Sequence, residues 1–240
     1  WVPHAIYVAG ETITFYDPEN HQSAEPEGPK ILKSQAVDPR WTRIQRPTII
    51  AGGELTMQSL ELKHDPYTKI TEPSLQLKSN TGILVIDDFG RQRVSPIEML
   101  NRWIVPLEHR YDFLTLANGK KIRVPFDQLI VFSTNLEPKH LVDEAFLRRI
   151  PYKINVTDPS EEEFRELFEI TAQLTNVELG AGAVESLIQK HYKDTERPFR
   201  CCQPRDLLLQ IKNLAAYNQE SPLATAKKFD EAVENYFSML

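Results

Sequence analysis

Asp87 and Asp88 stand side by side directly after four apolar residues, Ile83-Leu84-Val85-Ile86. Such a run reads as a strand inside a parallel sheet covered on both faces. Open α/β sheets take their ligands beyond the carboxyl ends of such strands. A carboxylate at that place can hold Mg²⁺ and its water shell, because the ion takes oxygen ligands and gives up water reluctantly. The neighbouring carboxylate can polarise an attacking water. Two acids can also simply end a buried strand and open a turn. Leu129-Ile130-Val131-Phe132 reads as another buried strand, and it runs into Ser133-Thr134-Asn135. The Asn135 amide can orient a water against a phosphate without adding charge, or it can close a turn.

Cations follow. Arg148 and Arg149 lie in residues 143–151, just before a further apolar segment. A guanidinium stays charged and offers a rigid donor fork that matches phosphate oxygens, as the arginine fingers of phosphoryl transfer require. Paired arginines are also common as solvated surface charge. Arg205, within Gln203-Pro204-Arg205-Asp206, opens a later helix, from which it can reach a phosphate or pair with an acid. The two cysteines, Cys201 and Cys202, are adjacent. That spacing is neither a zinc pattern nor a disulfide framework, and it predicts reduced thiols packed near the start of a helix.

The elements that must position these residues divide near Asn155. Before it, apolar runs are short, β-branched and punctuated by turn residues, as strands are. Ala5–Val8 and residues 12–16 flank Ala9-Gly10-Glu11 as a hairpin, and residues 17–30 form a polar surface loop. Residues 47–51 read as a strand ending at Gly52-Gly53, with shorter strands at 60–63 and Leu75–Lys78. Ser95-Pro96 caps and starts a helix whose apolar face is Met99, Leu100, Trp103, Ile104 and Leu107. A second hairpin, 113–116 with 121–124, turns at Asn118-Gly119, and residues 152–156 form a last strand. Beyond Val156 the apolar spacing becomes helical. Four helices are expected, the first opening at Asp158-Pro159-Ser160-Glu161. An α/β block followed by a small helical block results.

Apolar residues make up 41% of the 240 and charged residues 26%, the balance of a globular chain. No run approaches the ~20 apolar residues of a membrane-spanning helix, and Trp1-Val2-Pro3-His4 lacks the pattern of a signal peptide. A cytoplasmic protein that does not engage a membrane is expected. The net charge of −6 argues against a general nucleic-acid role, which leaves a basic footprint.

Taken in order, these features resemble an AAA+ ATPase from just after its first helix to its end, across essentially the whole chain. Residues 83–88 resemble the Walker B strand, with Asp87 at the magnesium position and Asp88 at that of the catalytic base. Asn135 matches sensor 1, Arg148 and Arg149 the arginine-finger region, and Arg205 sensor 2. The Asn118-Gly119 hairpin is similar to that of MoxR-type clades, and within them to bacterial ATPases thought to have chaperone activity. The resemblance implies an α/β fold with an incomplete P-loop NTPase-type parallel sheet core in residues 1–156. A small α-helical lid would follow in 157–240. It also implies ATP and Mg²⁺ as cofactors, hydrolysis coupled to remodelling of a protein client, and a homo-oligomeric, hexameric ring.

Two departures from the pattern matter. Asp88 stands where a glutamate is usual, one methylene shorter. No G-x-x-x-x-G-K-[ST] occurs, and Ala117-Asn118-Gly119-Lys120-Lys121 does not fit it. The phosphate-binding loop is therefore expected in an upstream continuation, and residues 1–240 alone are expected to be inactive. Two further classes stay open: a non-catalytic AAA+-like assembly module, and a nucleic-acid motor or loader.

Overall fold

A computed structural model describes residues 1–24, 38–137 and 147–238, in two compact units, Trp1–Lys153 and Ile154–Leu240. Asp143 and Glu144, the acids expected near the arginine pair, lie outside the described residues.

The first unit opens with β1 (Val2–Pro3), β2 (Ala5–Val8), β3 (Glu11–Thr14) and β4 (Trp41–Thr42). β2 and β3 form the expected hairpin, turning at Ala9 and Gly10, both at positive φ. Then come β5 (Thr48–Ala51), a 3₁₀ turn at Met57–Leu60, β6 (Lys63–His64) and β7 (Ile70–Glu72). One turn of helix, α1 (Leu75–Lys78), leads to β8 (Ile83–Ile86), and α2 (Pro96–His109) follows. β9 (Tyr111–Thr115), β10 (Lys121–Pro125) and β11 (Leu129–Phe132) close the unit.

Its functional frame is a parallel sheet of three strands in the order β11-β8-β5. Ala51, Ile86 and Phe132 sit at the same level, so all three carboxyl ends emerge together. One face is buried: Ile49, Ala51, Leu84 and Ile86 pack with Met99, Leu100 and Trp103 of α2 and with Phe126. The α2 face matches the expectation from spacing, and Ser95 caps it by accepting from the Glu98 amide at 3.2 Å.

Residues on the opposite face are exposed. Ile50, Leu129 and Val131 are 65%, 60% and 38% exposed. The apolar run Leu129–Phe132 predicts a strand buried on both sides. It is instead an edge strand among the described residues, and its alternate side chains Leu129 and Val131 are exposed because they lie on the uncovered face of the sheet. β2-β3-β7-β6 form a second sheet. The β9–β10 hairpin turns where Asn118-Gly119 predicts, and its tip is tied to the β2–β3 turn. The Asn118 amide donates to Glu11 Oε1 at 3.0 Å, and Asn118 Nδ2 to the Ala9 carbonyl at 3.0 Å.

Three predicted strands come out differently. Leu75–Lys78 is helical: Ser74 accepts from the Leu77 amide, and buried Gln76 accepts from the Trp103 indole at 2.9 Å. The alternation of Leu75 and Leu77 therefore reflects one turn anchored by its polar residue. Of residues 60–63, Leu60 ends the 3₁₀ turn that a Thr56–Ser59 capping box opens, and only Lys63 lies in a strand, at the start of β6. Residues 152–156 belong to no strand, and Tyr152, Ile154 and Val156 are 83%, 87% and 85% exposed. Alternation alone makes no strand without a neighbour to accept its hydrogen bonds.

The second unit contains α3 (Glu161–Thr175), β12 (Glu178–Leu179), α4 (Ala183–Ile188) running into a π turn at Gln189–Lys193, and α5 (Gln203–Asn218). β13 (Leu223–Ala224), parallel to β12, and α6 (Ala226–Phe237) complete it. Phe164, Phe168, Leu207, Leu208, Ile211 and Phe229 form its core. Cys201 and Cys202 precede α5, but both are exposed rather than packed. Among the described residues no helix is long and apolar enough to cross a membrane.

Candidate functional site

The carboxyl end of β8 is where the sequence placed its acids. The Asp87 amide still belongs to the ladder, donating to the Ala51 carbonyl at 2.9 Å. The chain then turns sharply, with Asp88 at φ 51° and Gly90 at φ 102°. Positive φ is uncommon for a residue with a side chain, although aspartate tolerates it better than most. The turn is pinned from both sides. Gln92 donates through Nε2 to the Asp87 carbonyl at 2.7 Å and accepts through Oε1 from the Gly90 amide at 2.8 Å. From β11, the Ser133 carbonyl accepts from the Phe89 amide at 2.7 Å, and Thr134 Oγ1 donates to the Phe89 carbonyl at 2.8 Å. Phe89 is buried, with its ring 4.9 Å from that of Phe132.

These bonds join the tips of β8 and β11 into one piece. Asp87 and Asp88 are exposed beyond it, as is Asn135. Arg91 reaches across, with Nη2 3.5 Å from Asn135 Oδ1. Glu54 follows β5 at the same end, and the Gly52 amide, donating to its carboxylate at 2.9 Å, holds its pKa below the usual range. Among the described residues no three such side chains are grouped closely enough to enclose a metal. Mg²⁺ needs no such cage, since one or two carboxylates, waters and substrate phosphates suffice. Carboxylates are ligands of the kind that ion takes, and Asp87 and Asp88 are exposed at this end of the sheet.

The arginines divide. Arg149 bonds Glu108, through Nε at 2.8 Å and Nη2 at 2.6 Å. Glu108 lies in the last turn of α2, whereas the acidic turn leads into the first, and a helix of 14 residues is roughly 20 Å long. Arg148 is exposed and makes no ion pair among the described residues. Arg205 lies in the first turn of α5, in the second unit, and its Nε is 3.2 Å from Asp206 Oδ1. Arg91 and Gln92 escaped the sequence reading. Arg91-Gln92-Arg93 looks like a polar surface segment, and only the turn at Asp88 brings Gln92 back onto Asp87.

The fold has known counterparts. NtrX from Brucella abortus matches with a TM-score of 0.57 at 17% identity, over 79% of this chain and 44% of that one. Its complex with ATP matches with a TM-score of 0.53 at 18% identity, over 79% and 48%. A point mutant of RuvB from Thermotoga maritima matches with a TM-score of 0.50 at 13% identity, over 78% and 53%.

The chain is similar in fold to NtrX and RuvB.

At such identities the likeness is one of fold, a parallel α/β core with a helical extension. The chain spans about half the length of the solved structures it matches. Residues 160–235, within the second unit, match a family described as a domain of unknown function (DUF8689). No curated protein matches the chain.

Proposed function

We propose that residues 1–240 are the later part of an AAA+ module that hydrolyses ATP to remodel a protein partner. The observation that carries this reading is the joining of two adjacent parallel strand tips, one bearing Asp87 and Asp88 and the other Asn135. Open α/β sheets bind ligands at that end. Asp87 would hold Mg²⁺ through its waters, and Asp88 would take a proton from the attacking water while Asn135 orients it. Bound Mg²⁺ supplies charge neutralisation on the transferring phosphate. Arg148, exposed and without an ion pair among the described residues, is the better candidate for a finger acting on a neighbouring subunit. Arg205 would reach the phosphates from the lid, residues 157–240. Shared sites of that kind require a ring, hexameric by resemblance, and opening and closing of the lid would drive the client.

The phosphate-binding loop would come from outside residues 1–240, and the strand that carries it would pair with the outer edge of β11, which no strand occupies among the described residues. The lack of that loop favours one second reading, a non-catalytic module that keeps the fold for assembly.

The experiment is ATP hydrolysis by the full-length protein with single substitutions. Asp88→Asn should keep ATP binding while turnover falls by about 10²–10⁴. Asp87→Ala should also weaken Mg²⁺-dependent binding. A full-length protein without hydrolysis would select the assembly module. Unchanged turnover in Asp88→Asn would move the base elsewhere.

A further inference from the structure

The side-chain amide of Gln92 engages the backbone of the acidic turn at both its nitrogen and its oxygen. Its donor is 2.7 Å from the Asp87 carbonyl and its acceptor 2.8 Å from the Gly90 amide. Those two groups bracket Asp88 and Phe89. Phe89 is already fixed by β11 through the Ser133 carbonyl and Thr134 Oγ1 and by burial of its ring. Asp88 has no such anchor. It is exposed and sits at φ 51°, a conformation that persists in a non-glycine residue when its surroundings over-determine it. The remaining bond across it runs from the Arg91 amide to the Asp88 carbonyl, at 2.9 Å, and Arg91 is itself held in register by the Gln92 clamp.

We infer that Gln92 is a positioning residue that keeps Asp88 in its left-handed conformation and so aims its carboxylate. The inference rests on the ATPase reading for its purpose, but its mechanism is local. The clamp needs a donor and an acceptor in one planar group. Glutamate lacks the donor, and asparagine is one methylene too short to span the same two groups. Without the clamp, only the Arg91–Asp88 bond spans Asp88, and its φ can relax toward negative values while Asp87 and Phe89 keep their bonds to Ala51 and Ser133. A small displacement of a reacting group from its productive geometry can cost as much as about 10²-fold in rate.

The test uses Gln92→Met, which keeps the stem and removes both hydrogen bonds. In residues 1–240, NMR should show the Gly90 amide proton changing from a bonded to a solvent-like temperature dependence. The HN–Hα coupling of Asp88, which follows φ, should change with it, while the melting temperature holds. In the full-length protein, kcat should fall by roughly tenfold to a hundredfold, with the KM for ATP unchanged. An Asp88 coupling that stays put, or a kcat that does not fall in an otherwise active protein, overturns the inference. A full-length protein that hydrolyses no ATP overturns the ATPase reading and removes the clamp's catalytic purpose, even if the NMR signals respond.

Discussion

Arg148 and Arg149 are neighbours of identical chemistry with different surroundings. Arg149 bonds Glu108 through its guanidinium, and its side chain is 15% exposed. Removing one partner of a half-buried pair leaves the other unmatched, so Arg149→Ala should lower the melting temperature whatever it does to turnover. Arg148 has no such role, and Arg148→Ala should leave the melting temperature unchanged. If Arg148 is the finger, hydrolysis by the assembled full-length protein falls on the order of 10³–10⁵ with ATP binding retained. Mixing it with a mutant of the loop lysine should then restore part of the activity, because some interfaces join an intact nucleotide site to an intact arginine. Wild-type turnover in Arg148→Ala, or no recovery on mixing despite subunit exchange, would exclude the shared site. The two residues cannot be told apart in the sequence, since a partner 41 positions away makes the difference.

Among the elements, α3 is the most legible. Ser160 and Glu163 form a capping box, with the Ser160 amide 2.8 Å from Glu163 Oε2 and the Glu163 amide 3.3 Å from Ser160 Oγ. Both residue types and their spacing announce it, and Phe164 and Phe168 carry the helix into the core of the second unit. Ser160→Ala should destabilise that unit by about 1 kcal/mol, seen as a lower urea midpoint at unchanged slope. No shift would mean that packing alone sets the helix start. The short elements are less legible. Leu75–Lys78 and residues 152–156 both show strand-like alternation, yet one is a capped helical turn and the other is extended without a partner. Four or five residues hold too few periods to separate the two patterns, and long-range hydrogen bonds decide.

For the molecule as a whole, the loop that would cradle the phosphates is missing from these 240 residues. Backbone amides and a lysine of such a loop supply most of the contact with a nucleotide's phosphates. Exposed carboxylates alone repel them. Residues 1–240 should accordingly bind ATP poorly in the presence of Mg²⁺ and turn it over negligibly. Calorimetric titration measures this directly, and a micromolar affinity would show that the loop is dispensable and that another part of the chain holds the phosphates.

Composition and periodicity were enough for the order of the blocks, for the middle strand Ile83–Ile86 though not for its one-sided burial, for α2 with its cap and apolar face, and for acids at a strand tip. These properties are local: a run of apolar residues, a serine before a proline, a spacing of three and four. The tertiary structure alone decided which strands stand side by side and, among the described residues, that β11 is an edge and that one face of the sheet leaves Ile50, Leu129 and Val131 exposed. It also decided that Gln92 folds back to grip the turn around Asp88 and that Arg149 is committed to Glu108. Each of these depends on groups brought together across the fold, and hydrogen bonds and burial between distant residues leave no periodic trace in the chain.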